Sequence, residues 1–229
     1  MSIRTAFDQE LQALRDNLLR LSSMVDSAIG HSMQALKERD QALAQQIISD
    51  DEKINQLRFK IEEDCVSLIA RQQPAAHDLR FIVAAMNIVL DLERMADHAA
   101  GNATIVLRMG GQPPLKPLID LPRMSQIAQE MLRASLDAFM AEDTQQALSI
   151  TKRDDEVDQL YTQIFRELIS FMIEDPRTVT RAMYLLFCAH NMERIADRVT
   201  NICERVVFLA TGRMQEIPSE SGSDTGAGG

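Results

Sequence analysis

Two stretches of the chain read nearly alike: Asp91-Leu92-Glu93-Arg94-Met95-Ala96-Asp97 and Asn191-Met192-Glu193-Arg194-Ile195-Ala196-Asp197. Each sets two carboxylates four residues apart, and residues at that spacing share one face of an α-helix. Asp51 with Asn55, and Asp154 with Asp158, repeat the spacing upstream of each stretch. Like charges so placed cost about 0.2–0.5 kcal/mol even on an exposed helix, and a multivalent cation reverses that sign. Oxygen donors are hard, so the chemistry indicated is binding of Mg²⁺, Mn²⁺, Ca²⁺ or iron rather than structural zinc. The competing reading is a solvated acidic face, with Glu93–Arg94 and Glu193–Arg194 as surface ion pairs of little worth.

These residues need helices to hold them, and the apolar pattern supplies six. Phe7, Leu11, Leu14, Leu18, Leu21, Val25 and Ala28 recur at alternating four and three, the stripe of an amphipathic helix, which predicts a first helix over 5–37. Asp40 is a candidate N-cap for a second helix that ends before Pro74, striped by Ile47, Ile54, Leu57, Ile61, Cys65, Leu68 and Ile69. A third runs from Ala75 to Gly110-Gly111. Residues 112–122 carry four prolines, each lacking a donor and clashing with a preceding helical turn, and are expected to be a linker. Three more helices are expected over 123–141, 143–174 and 176–210, with Pro176 suited to a first turn. The fold expected is all-α, two tandem three-helix bundles: a first repeat over 5–111, a second over 123–211, and a disordered Ser/Gly-rich tail over 212–229.

The repeats align in register. Asp40 and Asp51 match Asp143 and Asp154 at an offset of 103, whereas Glu93 and Asp97 match Glu193 and Asp197 at 100, so the length difference falls in the turn near Pro74 or Pro176, as helical repeats allow. Second and third helices of a repeat joined by a short loop must be antiparallel neighbours. The Asp51/Asn55 pair centres 21 residues before Pro74 and the Glu93/Asp97 pair 21 after it; the second-repeat pairs centre 20 before and 19 after Pro176. At a rise of about 1.5 Å per residue, the two pairs of each repeat stand at matching heights, face to face.

Composition narrows the function. The formal charge of −10 with no basic stripe disfavours nucleic-acid binding. No apolar signal core opens the chain and no run approaches a membrane span, so a cytoplasmic protein without membrane insertion is expected. Cys65, Cys188 and Cys203 lie within apolar helical patterns and read as buried small hydrophobes. His31, His77, His98 and His190 occupy no repeated position, although His98 adjoins Asp97. Arg80 and Arg181, near the starts of the third and sixth helices, are suited to binding an anion or pairing with acids, and structural ion pairs are the expectation. No nucleophile–base pair, Gly-rich phosphate loop or nucleotide motif is present, so no catalysis is expected.

The paired E-R-[MI]-A-D segments, Asp78-Leu79-Arg80 after a Pro-containing turn, the Asp51/Asn55 and Asp154/Asp158 pairs, and Glu174-Asp175-Pro176-Arg177-Thr178 together resemble the PhoU family from about residue 7 to 211. The resemblance implies two similar three-helix bundles whose E(D)-x-x-x-D motifs hold metal ions or multinuclear clusters, with magnesium, manganese or iron expected. It implies the ligand set Asp51, Asn55, Glu93 and Asp97 in one repeat and Asp154, Asp158, Glu193 and Asp197 in the other. Neutral Asn55 stands where Asp158 is charged, so the first site should bind cations more weakly or with different stoichiometry. Asn201 resembles an Asn that follows the family's second motif; Gly101-Asn102-Ala103 departs from it. The resemblance further implies a cytoplasmic homodimer that restrains phosphate uptake and the phosphate-starvation response, as an adaptor between the ATPase of a phosphate ABC transporter and a membrane sensor histidine kinase. Two rivals stand beside it. A ferritin-like di-metal enzyme would use Glu-x-x-His motifs, which the sequence lacks; a metal-free helical adaptor would act through protein contacts alone.

Overall fold

A computed structural model describes residues 3–217. Among them every regular element is helical: α1 (Ile3–Glu38), α2 (Gln41–Gln72), α3 (Ala76–Met109), α4 (Asp120–Ala141), α5 (Thr144–Thr151), α6 (Asp154–Glu174) and α7 (Val179–Thr211), with a 3₁₀ turn at Pro176–Thr178 leading into α7. The caps follow the sequence. Asp40 accepts from Leu43 N at 2.9 Å and Asp143 accepts from Gln146 N at 2.9 Å, so the equivalent start in each repeat is capped alike. Gln73 takes the left-handed conformation at the end of α2 (φ 45°), closing the turn before Pro74.

Two boundaries differ from expectation. α4 begins at Asp120, so Pro122 lies inside its first turn. The first intrahelical bond is donated by Arg123 N to Ile119 O, one residue past the proline, and its missing N–H is an orphan position in any case. The helix expected over 143–174 is divided into α5 and α6. Lys152 and Arg153 keep right-handed backbone angles, but Arg153 N donates to Ile150 O and Glu156 N to Arg153 O, the tighter 3₁₀ pattern. The consequence is that Asp154, Asp155 and Glu156 crowd the first turn of a new helix, where the positive end of its dipole offsets part of their repulsion.

α1, α2 and α3 form one bundle, and α4 through α7 the other, with α3 packed along α7 at the centre and α1 against α4 beside them. The central pair is antiparallel, since Asp91 meets Arg198 and Asn201 while Asn191 meets His98 and Asn102. Leu92, Met95, Ala96 and Ala99 of α3 and Met192, Ile195, Ala196 and Val199 of α7 are buried. Each large apolar side chain removed from water stabilises by about 1.5–3 kcal/mol, and the alanines between them permit close approach. Cys65, Cys188 and Cys203 are buried and unpaired.

The expected tail begins at 212. Ile217 N donates to Glu204 Oε1 at 3.2 Å and its side chain packs on the core, so 213–217 fold back along the end of α7; the remainder of the expected disorder, 218–229, lies outside the described residues. The ion pairs expected of Arg80 and Arg181 do not form among the described residues. Arg80 Nε donates to Leu209 O in the last turn of α7 at 3.2 Å and Arg181 Nη1 reaches Pro113 O in the α3–α4 linker, carbonyls with no intrahelical donor.

Candidate metal centre and the helix crossing

The first cluster joins α2 to α3. Burial raises the Asp51 carboxyl above its usual range, and the charges of Asp97, Glu93 and Glu52 raise it further, opposed by the hydrogen bond from Asn55. Asn55 Nδ2 donates to Asp51 Oδ2 at 3.1 Å, so the neutral residue quiets its neighbour. Glu93 is raised by burial and by Asp97, and Arg58 opposes this with Nε 3.9 Å from Glu93 Oε1. Asp51, Asn55, Glu93 and Asp97 therefore share one electrostatic neighbourhood.

The second cluster is more acidic and more strained. Asp154 is only 6% exposed, and burial, reinforced by Asp158, Asp197 and Glu193, pushes its carboxyl up to about 7. Burial and then Asp197 push Glu193 to about 7. Asp197 is also raised by burial, although Arg194 Nη1 donates to its Oδ2 at 2.7 Å. Asp154 Oδ1 and Glu193 Oε2 are buried without hydrogen-bond partners, the latter 3.5 Å from His190 Nδ1. Two orphaned buried carboxylate oxygens facing further carboxylates are the electrostatic inverse of a cation site, and the donor set fits a hard metal. No group of three or more His, Cys, Asp or Glu side chains among the described residues is gathered tightly enough to hold a metal as it stands, so binding requires side-chain rotation toward the ion.

The helix crossing was not foreseen in the sequence. α3 and α7 pass each other at the two E-R-x-A-D segments, which brings both acidic clusters to the middle of the molecule. Asp91 accepts from Arg198 Nη1 at 3.4 Å and from Asn201 Nδ2 at 3.1 Å. At the related position Asn191 Nδ2 donates to Asn102 Oδ1 at 2.8 Å, and its Oδ1 lies 3.2 Å from His98 Nδ1. Gly101 makes room for this, since a Cβ there would stand 3.2 Å from Asn191 Nδ2. Asp91 and Asn191 sit at the same 100-residue offset as the motif carboxylates, the one signal that could have marked them. His98 thus serves the crossing, and Asn102 is a buried hydrogen-bond acceptor.

A duplicated three-helix unit with one carboxylate cluster per copy, the copies joined through their third helices, defines a two-repeat helical-bundle protein with a paired acidic centre. The PhoU domain family model matches residues 18–106 and again 121–206, and the chain belongs to the PhoU family. It is 39% identical over 211 residues, covering 92% of this chain and 89% of the relative, to the phosphate-specific transport system accessory protein PhoU homolog of Rhizobium meliloti (strain 1021). It is 38% identical over 206 residues, 90% of this chain and 93% of the relative, to the protein of the same description from Aquifex aeolicus (strain VF5). Among solved structures, the phosphate transport system regulatory protein PhoU from Streptococcus pneumoniae superposes with a TM-score of 0.85 at 34% identity, covering 92% of this chain and all (100%) of that one. PhoU from Pseudomonas aeruginosa gives 0.86 at 35% identity, with 90% and 100% covered.

Proposed function

We propose that this protein is a regulatory accessory of phosphate transport that restrains uptake and the phosphate-starvation response, working as a non-enzymatic adaptor. The observation that carries the reading is the match of both repeats to one family whose relatives are described as accessory proteins of the phosphate-specific transport system. The partners proposed are the transporter's ATPase and a membrane sensor kinase, met by a cytoplasmic homodimer. No helix among the described residues is long and apolar enough to cross a membrane. An exposed apolar stripe on α6, formed by Phe165, Ile169 and Ile173, supports contact with another macromolecule.

Asp154, Asp158, Glu193 and Asp197 would hold a magnesium, manganese or iron ion in the second repeat, and Asp51, Asn55, Glu93 and Asp97 a more weakly bound one in the first. When bound, the ion supplies charge neutralisation. What the chain itself does is position eight acidic or amide side chains on α2, α3, α6 and α7, so that occupancy bears on how the repeats meet and favours one arrangement over another. A metal-free adaptor is the second reading, favoured by the absence of a converged ligand group among the described residues.

A strain lacking the gene should express its phosphate-starvation genes in phosphate-rich medium, and the wild-type chain supplied in trans should silence them. Continued silence in the deletion strain would refute the regulatory role whatever the metal chemistry.

A further inference from the structure

We infer that the groove where α3 crosses α7 is a binding site for one small tetrahedral oxyanion, held by Arg94, Arg194 and Arg198. The inference rests on the metal reading for its strength but not for its location. The groove has a volume of about 470 Å³ and is lined by Glu93, Arg94, Asp97, His98, Arg194 and Arg198. Four of its six residues come from matching positions of the two repeats, Arg94 with Arg194 and His98 with Arg198, so the antiparallel crossing brings three guanidinium groups together around one opening.

Those groups are not used up by the protein. Arg94 makes no hydrogen bond or ion pair with a described residue, and its charge acts on Glu93 beside it. Arg198 commits Nη1 to Asp91 at a long 3.4 Å, and its Nε is buried without a partner. Arg194 holds Asp197 through Nη1 alone. A guanidinium carries five N–H donors in a planar fork that matches the oxygens of a tetrahedral anion in pairs. Three partly unsatisfied forks around one open groove are therefore a donor surface without its acceptor. A basic surface patch would spread such residues over a face; here they are drawn from two helices and two repeats to a single point.

The carboxylates on the same walls decide when the anion binds. Glu93 on the groove wall and Asp197 beside it compete for the arginines in the cation-free protein. Cations held by the acidic clusters satisfy the carboxylates, and the arginine forks are left to the groove. Cation and oxyanion binding are then linked, and each raises the other's affinity by the same factor.

The test is calorimetric titration of inorganic phosphate into the full-length protein, once after saturation with Mg²⁺ and once after chelation, with Mg²⁺ titrated alone in parallel. The expected result is saturable binding to the Mg²⁺-loaded protein, weaker by roughly 5-fold or more after chelation, within the usual range of linked sites. The Arg94→Gln/Arg194→Gln variant should lose phosphate binding while still folding and binding Mg²⁺ at least as tightly as the wild type, since Arg194 no longer holds Asp197. Should that variant fail to fold, Arg94→Lys tests the same fork and should weaken binding by about 10-fold, the worth of one lost charge-assisted hydrogen bond. No saturable phosphate binding in protein that does bind Mg²⁺ overturns the groove and leaves the acidic clusters standing. Undiminished binding in both arginine variants overturns it as well. Arginine-dependent phosphate binding without any Mg²⁺ binding supports the groove and removes the metal reading.

Discussion

Asp154→Asn should make the metal-free protein more stable above neutral pH, although it removes a charged residue from a helix start. In the folded state the Asp154 carboxyl titrates at about 7 against an ordinary 3.8, a rise of about three units at ~1.36 kcal/mol each. The sign follows from proton counting. A carboxyl whose pKa is raised on folding is protonated in the native state and ionised in the unfolded chain between the two values, so stability falls as pH climbs from about 4 to 7 and is level beyond. The ceiling on the loss is therefore on the order of 4 kcal/mol. Water penetration and the coupling of Asp154 to Glu193 reduce it to roughly 1–3 kcal/mol. The asparagine forfeits about 0.3–1 kcal/mol of favourable interaction with the α6 dipole, so a net gain remains. Urea unfolding in the presence of chelator at pH 5 and pH 8 measures this. The wild type should weaken between the two, and Asp154→Asn should weaken less and exceed the wild type at pH 8. Added Mn²⁺ should then raise the stability of the wild type more than that of the variant, which keeps only the first cluster unaltered. Parallel pH profiles for the two proteins would mean that Asp154 is not ionised under strain, and the electrostatic description of the second cluster would fall.

Asp97→Ala combined with Asp197→Ala should lower the metal content of protein purified without chelator or affinity metal, as read by mass spectrometry, while helicity by circular dichroism is retained, because both side chains are partly exposed rather than part of the apolar core; unchanged metal content removes both from the site. Asp91→Ala should cost about 3 kcal/mol in urea unfolding, since it strands the Arg198 guanidinium at the crossing, and Asp91→Asn should lose less by keeping an acceptor for Asn201; a loss within ~0.5 kcal/mol for the alanine variant would show that the polar crossing contributes nothing.

Much of the scaffold was open to inspection because it depends on local rules. Asp40 and Asp143 cap helices as their type and place suggest, and the counted distances from Pro74 and Pro176 bring Asp51 opposite Glu93 and Asp97, and Asp154 opposite Glu193 and Asp197. Those contacts need only a helical rise and a short loop. The α3–α7 crossing was hidden because nothing within a repeat's spacing says which helices of two repeats will touch; Ala96, Ala99 and Ala196 look the same in any helical core. The break at Lys152-Arg153 was hidden for another reason. Neither residue is a helix breaker, and their backbone stays helical while the hydrogen bonds shorten by one residue. Pro122 misled in the opposite direction, since a proline ends a helix only when it falls beyond the first turn. Arg94 and Arg194 entered the sequence reading only through the competing surface ion-pair account, because the opening they share depends on which helices of the two repeats meet.

The lopsided contacts at the crossing bear on why the two halves belong to one polypeptide. Two separate copies of a single half would have to meet with identical residues on both sides, so any substitution at the seam would appear twice. Asp91 facing Arg198 and Asn201, with Asn191 facing His98 and Asn102, is a pairing only joined halves can possess: one seam contact is ionic and the other neutral. Covalent fusion thus frees each half to specialise, and neither can be exchanged for a second copy of its sibling without placing Asp91 against His98 or Asn191 against Arg198.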